Sequence, residues 1–157
     1  MKPNIGLRDE QREAVIKILN TVLADEFVLY AKTRQFHWNV VGPSFGEMHQ
    51  FFESQYQALE EIADTVAERS RSIGGVPVGS LGEFLELTQL PQRRSTQLEV
   101  KEMISSLLSD HEAVVRSLRA DIGAVVDQYG DIGTADFLTD LLQQHEKMAW
   151  MLRAYLS

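Results

Sequence analysis

Two histidines and three carboxylates stand at spacings that suit metal chemistry: His37, His49, Glu53, Asp64 and Glu68. Imidazole nitrogen and carboxylate oxygen together suit iron, zinc or manganese, and a ligand set with open positions suits oxidation of Fe(II). On a helix turning roughly 100° per residue, with His49 at zero, Glu53 falls at about 40°, Asp64 at about 60° and Glu68 at about 100°. All four share one face. His49 and Glu53 are one turn apart, as are Asp64 and Glu68, so each pair can chelate a cation.

The two pairs do not reach one metal within a chain. From residue 49 to 64 a helix rises about 22 Å, whereas metal–nitrogen and metal–oxygen bonds are about 2 Å. Two copies of the helix, antiparallel about a two-fold axis near Ala58–Leu59, resolve this. His49 and Glu53 of one chain then face Asp64 and Glu68 of the other, giving two equivalent sites. His37, near the end of the preceding helix, leans in as a fifth ligand. The plainer alternative is a pair of weak i,i+4 contacts on a wet helix face. Glu-x-x-His, the motif of internal di-iron sites in bundles, is absent. Arg34, Gly46, Leu108 and Leu142 stand three residues before the four histidines.

Long elements must carry these residues. Apolar residues recur at three- and four-residue spacing in four segments, so helices are predicted over about 9–37, 44–73, 97–129 and 134–156. The second starts after Gly42-Pro43 and stops at Gly74-Gly75. Thr134 is the predicted N-cap of the last, with Asp136 in its first turn. Short connections make helices one and two, and helices three and four, antiparallel hairpins. The stretch from Gly74 to Thr96 is too long for an ordinary bundle loop. It suits a crossover along the bundle, with a short helix at Leu81–Leu87. The predicted fold is all-α: a single domain over residues 1–157, a four-helix bundle of ferritin-like connectivity, with the long crossover between helices two and three.

Composition narrows the function. The chain has 157 residues, a net charge of −8 and no cysteine. Disulfides, thiolate zinc sites and iron–sulfur clusters are thereby excluded. No signal-peptide-like or membrane-spanning segment is visible, so a cytoplasmic location is expected. Acidity opposes nucleic-acid binding unless a local basic patch overrides it. The densest basic stretches are Arg69–Arg71 and Arg93–Arg94, and the arm before Leu7 holds one lysine, Lys2.

The stretch HWNVVGPSFGEMHQFFESQYQALEEIADTVAERSRSIGG resembles the DNA-binding proteins from starved cells, the Dps miniferritins. Their ferroxidase spacing is H-x11-H-x3-(D/E)-x10-D-x3-E, read here as His37, His49, Glu53, Asp64 and Glu68. The likeness extends to the C-terminal HEKMAWMLRAYL. It implies a hollow homododecamer with di-iron sites shared across dimer interfaces, His37, His49 and Glu53 coming from one subunit and Asp64 and Glu68 from its neighbour. It implies oxidation of Fe(II), with hydrogen peroxide preferred to oxygen, and storage of ferric mineral. Glu53 departs from the aspartate usual in the family. The resemblance also assigns Asp127, Asp131 and Asp136 to three-fold pores through which iron enters; helix-end and turn chemistry is the alternative for these three. Trp38 is either a redox-exposed ring beside the site or plain packing. His111 and His145 lie on or beside apolar stripes and are expected to be packed, hydrogen-bonded side chains. DNA binding is expected to be weak or absent. The competing functions are a nucleoid-protecting DNA binder with secondary iron chemistry, and a cage whose interface sites hold structural zinc.

Overall fold

The computed structural model describes residues 3–92, 94 and 97–157; Lys2, Arg93 and Thr96 of the sequence reading lie outside them. The described residues form five helices: α1 (Asp9–Asn39), α2 (Phe45–Ser72), α3 (Leu81–Leu87), α4 (Val100–Asp127) and α5 (Ile132–Ala154). No strand occurs among the described residues. The fold is the expected four-helix bundle, with α3 riding on the long crossover.

The apolar stripes meet in one core. Leu19, Leu29, Phe52, Leu59, Leu107, Leu118, Leu138 and Leu152 are fully buried, drawn from all four long helices. α1 pairs with α2 and α4 with α5 as hairpins. α1 also buries charged groups. Lys32 Nζ bonds Asp110 Oδ2 at 2.5 Å and the Pro91 carbonyl at 2.9 Å, tying α1 to α4 and to the end of the crossover.

The crossover is held at defined points. α2 ends in a Schellman motif: Gly74 N donates to Arg71 O at 2.9 Å and Gly75 N to Ser70 O at 2.8 Å. Gly74 sits at φ +91°, and a Cβ on Gly75 would lie 2.5 Å from Ser70 Oγ and 2.8 Å from Ile16 Cγ1. The Gly-Gly pair therefore both ends the helix and lets the chain pass close to α1. Ser80 caps α3, exchanging bonds with Glu83, which holds the Glu83 carboxyl below its ordinary range. Phe84 of α3 stacks on Phe27 of α1 at 4.3 Å between ring centres. Asp25 of α1 accepts from Thr88 Oγ1 at 2.7 Å and Gln89 N at 2.6 Å. Burial raises the Asp25 carboxyl, and those two bonds oppose the rise.

The start of α5 corrects an expectation. Its N-cap is Asp131, not Thr134: the Asp131 carboxylate accepts from Thr134 N at 3.0 Å and Thr134 Oγ1 at 2.5 Å. Aspartate suits an N-cap as well as threonine does, and here it stands one position ahead of the first helical residue. Asp136 consequently lies beyond the first turn of α5.

Candidate metal centre

The α1–α2 hairpin brings His37, near the end of α1, against His49, in the second turn of α2. Their rings stack with centres 3.7 Å apart, inclined by 22°. His37 Nδ1 lies 2.8 Å from the His49 carbonyl, and His49 Nδ1 lies 2.9 Å from the His37 carbonyl. A carbonyl oxygen only accepts, so both Nδ1 atoms carry the proton and donate. In the neutral imidazole this tautomer places the lone pair on Nε2, the form a metal requires. Phe45 tilts against His49 at 5.1 Å and Tyr56 meets His37 edge-on at 5.2 Å, bracketing the pair. Tyr155, from the end of α5, donates to Glu47 at 2.9 Å and packs on Phe51, fixing the first turns of α2.

Glu53 follows His49 by one turn and is half-buried. Its Oε1 accepts from Tyr56 Oη and from Gln57 Nε2, each at 3.4 Å. Burial and the neighbouring Glu53 carboxylate push the Tyr56 phenol above its ordinary value, so it stays protonated and donates. Arg34 lies over the rings of Tyr30, Trp38 and Tyr56, at 5.7, 5.6 and 5.1 Å from their centres. Its Nη1 also bonds Tyr30 Oη. Trp38 is 66% exposed, with that guanidinium on its face; packing into this chain's own core is ruled out.

Asp64 and Glu68 project into solvent further along α2. Among the described residues, no three His, Asp or Glu side chains of one chain converge to hold a metal. The helix rise accounts for the separation of Asp64 and Glu68 from His49 and Glu53; it does not account for Glu53 standing apart from the His37–His49 pair.

The three aspartates of the expected pore separate. Asp127, the last residue of α4, and Asp136 are exposed. Asp131 is 5% exposed, and besides capping α5 it faces Arg69 Nη2 at 3.4 Å. Arg69 also donates to Thr134 Oγ1 through Nε and Nη2, at 3.0 and 2.9 Å. Within this chain the Asp131 carboxylate is committed to holding α2 against α5, so the pore role read for it does not fit its surroundings.

His111 and His145 are fully buried, as expected, and hydrogen-bonded. His111 Nδ1 lies 2.9 Å from His145 Nδ1, and His145 Nε2 lies 2.8 Å from Glu26 Oε1. Glu26 is fully buried as well. Sequence reasoning missed it, along with Tyr56 and Arg34. For Tyr56 a signal existed in the i,i+3 spacing from Glu53; for Glu26 there was only a carboxylate within an apolar stripe.

Comparison with known proteins agrees with the fold. The Ferritin-like domain family matches residues 16–157. An uncharacterized low-temperature-induced protein of Nostoc sp. is 46% identical over 153 residues, spanning 98% of this chain and 86% of its own. The DNA protection during starvation protein of Brevibacillus brevis is 37% identical, spanning 92% of this chain and 96% of its own. This chain is a Dps protein of the ferritin-like family. The crystal structure of a Dps protein from Vibrio cholerae O1, described as a member of a broad superfamily of ferritin-like diiron-carboxylate proteins, superposes with a TM-score of 0.92 at 29% identity, covering 100% of this chain and 98% of that one. Among the described residues no helix is long and apolar enough to cross a membrane.

Proposed function

We propose that this Dps protein is a ferroxidase and iron store. Fe(II) binds at sites shared between two subunits and is oxidised there by hydrogen peroxide, and ferric mineral collects inside a hollow dodecamer. The observation that carries the reading is the reciprocal Nδ1–H···O=C pair of His37 and His49, which in the neutral rings leaves Nε2 of each as the ligating atom. Asp64 and Glu68 of a neighbouring chain complete each site, and two equivalent sites follow from the two-fold axis. The apolar residues Val76, Leu81 and Leu85, all exposed around α3, supply surface for such a contact.

The chemistry balances simply. Two Fe(II) ions, as substrate, give one electron each to one peroxide, whose O–O bond breaks. Hydrolysis of the two Fe(III) ions to oxyhydroxide releases four protons. No hydroxyl radical leaves, which accounts for protection against oxidative damage. The residues bind the irons close together and supply anionic oxygen, which favours Fe(III) over Fe(II). Asp127 and Asp136 gather incoming cations. A carboxylate at the C-terminal end of α4 is disfavoured by the helix dipole, so Asp127 is not explained by helix chemistry, and a passing cation offsets that penalty. Zinc is the alternative occupant of the same donors. The net charge of −8 supports weak or absent DNA binding at neutral pH.

The test is anaerobic titration with Fe(II), then a peroxide pulse followed by ferric absorbance. Saturable binding and oxidation well above the buffer rate are expected. Stoichiometric zinc binding with oxidation no faster than in buffer would leave a structural zinc cage instead.

A further inference from the structure

We propose that Tyr56 is a positioning residue for the metal ligand Glu53, and that it sets how tightly the Glu53 side of the site holds its cation. The inference rests on the inter-subunit site proposed above and concerns this chain's half of it.

Glu53, Tyr56 and Gln57 stand at i, i+3 and i+4 on α2, on one face. Tyr56 Oη and Gln57 Nε2 both donate to the same oxygen, Oε1, at 3.4 Å. With Oε1 engaged twice, Oε2 is the oxygen presented to a metal. A glutamate has one more rotatable bond than an aspartate, and ordering it has an entropic cost. Two donors arriving from the next turn offset that cost by fixing the carboxylate before the metal arrives. An aspartate at position 53 would be a methylene too short to meet them.

Tyr56 is itself held. Its ring meets Tyr30 edge-on at 6.1 Å and His37 edge-on at 5.2 Å, and the Arg34 guanidinium lies 5.1 Å over its face. The phenol thus stands between the imidazole donor from α1 and the carboxylate donor from α2. Its ring positions one and its hydroxyl the other. Removing only the hydroxyl separates the two roles.

The experiment compares four assembled proteins: wild type, Tyr56→Phe, Glu53→Asp and the double variant. Two readouts are taken: Co(II) affinity from ligand-field absorbance, and peroxide-driven Fe(II) oxidation against Fe(II) concentration. Tyr56→Phe keeps every ring contact. It is expected to weaken Co(II) binding about five-fold, equivalent to about 1 kcal/mol, and to raise the half-saturating Fe(II) similarly with little change in maximal rate. On the Glu53→Asp background the same substitution is expected to change either constant less than about two-fold, because the hydrogen bond is already gone. Equal constants for wild type and Tyr56→Phe would overturn the proposal. So would an equal loss on both backgrounds, which would place the effect in the His37 contact. A wild type that binds Co(II) but does not oxidise Fe(II) sinks the ferroxidase reading alone, and the affinity comparison still decides the role of Tyr56.

Discussion

His37 and His49 each donate Nδ1–H to the other's backbone carbonyl, at 2.8 and 2.9 Å. The end of α1 and the start of α2 are thereby clasped by the same two side chains whose Nε2 atoms are the proposed metal ligands. The structural role falls on Nδ1 and the proposed metal-binding role on Nε2 of one ring, so substitution can part them. In His49→Asn the amide nitrogen takes the place of Nδ1 and nothing replaces Nε2. The melting temperature is expected to stay within about 4 °C of wild type, a change worth less than about 1 kcal/mol. Peroxide-driven Fe(II) oxidation is expected to drop to the rate in buffer. Oxidation at the wild-type rate in this variant would remove His49 from the ligand set.

The buried chain Glu26–His145–His111 gives a stability prediction. His111 Nε2 and Glu26 Oε2 have no hydrogen-bond partner among the described residues. His111→Leu removes one such group but leaves His145 Nδ1, its partner at 2.9 Å, buried and unpaired, and is expected to cost about 1–3 kcal/mol. His145→Leu leaves Glu26 buried with neither oxygen paired and is expected to cost about 3–5 kcal/mol. Burial, and then the charge of His145, hold His111 well below its ordinary value of 6.5. The native state then binds fewer protons there than the unfolded chain, so this contribution to stability is present above pH 6.5 and declines as pH falls below it. In His111→Leu that acid-side decline should be shallower, measured by urea unfolding between pH 5 and 8.

Asp131 and its two neighbours in the acidic cluster are expected to respond oppositely. Asp131→Ala loses the α5 cap and the Arg69 contact and should cost about 1–2 kcal/mol, while initial iron uptake per folded cage is maintained. Asp127→Asn and Asp136→Asn should leave the melting temperature nearly unchanged and slow uptake, most clearly at low ionic strength where cation steering is strongest. Stopped-flow oxidation at two salt concentrations, beside thermal melts, separates the two patterns. Slowed uptake in Asp131→Ala at full stability would return it to the pore.

Much of this was legible in the sequence because helical periodicity is a local property. The stripes of Leu19, Leu59, Leu118 and Leu152 mark the four long helices, and Gly74-Gly75 marks the end of α2. The proposed half-site rests on the sequence as well, since His49, Glu53, Asp64 and Glu68 share one helix and its rise forbids a common metal. What escaped depends on contacts between helices or on competing caps. Thr134 and Asp131 both make good N-caps, and only the bond from Thr134 N to the Asp131 carboxylate, which Arg69 of α2 also meets, shows which one caps α5. Glu26 gains meaning only where α1 meets α5. Tyr56 gains it only where α2 sets it beside Arg34 and His37 of α1.

The central claim is that each site takes ligands from two chains, and subunit mixing tests it most directly. His37→Ala and Asp64→Ala cages are prepared separately, dissociated, mixed and reassembled, then given Fe(II) and peroxide. Each parent should be inactive. In a mixed dimer one of the two sites draws both altered residues and the other neither, so reassembled hybrids should regain up to about a quarter of wild-type activity under random pairing. Hybrids that assemble fully and stay as inactive as their parents would contradict a shared site.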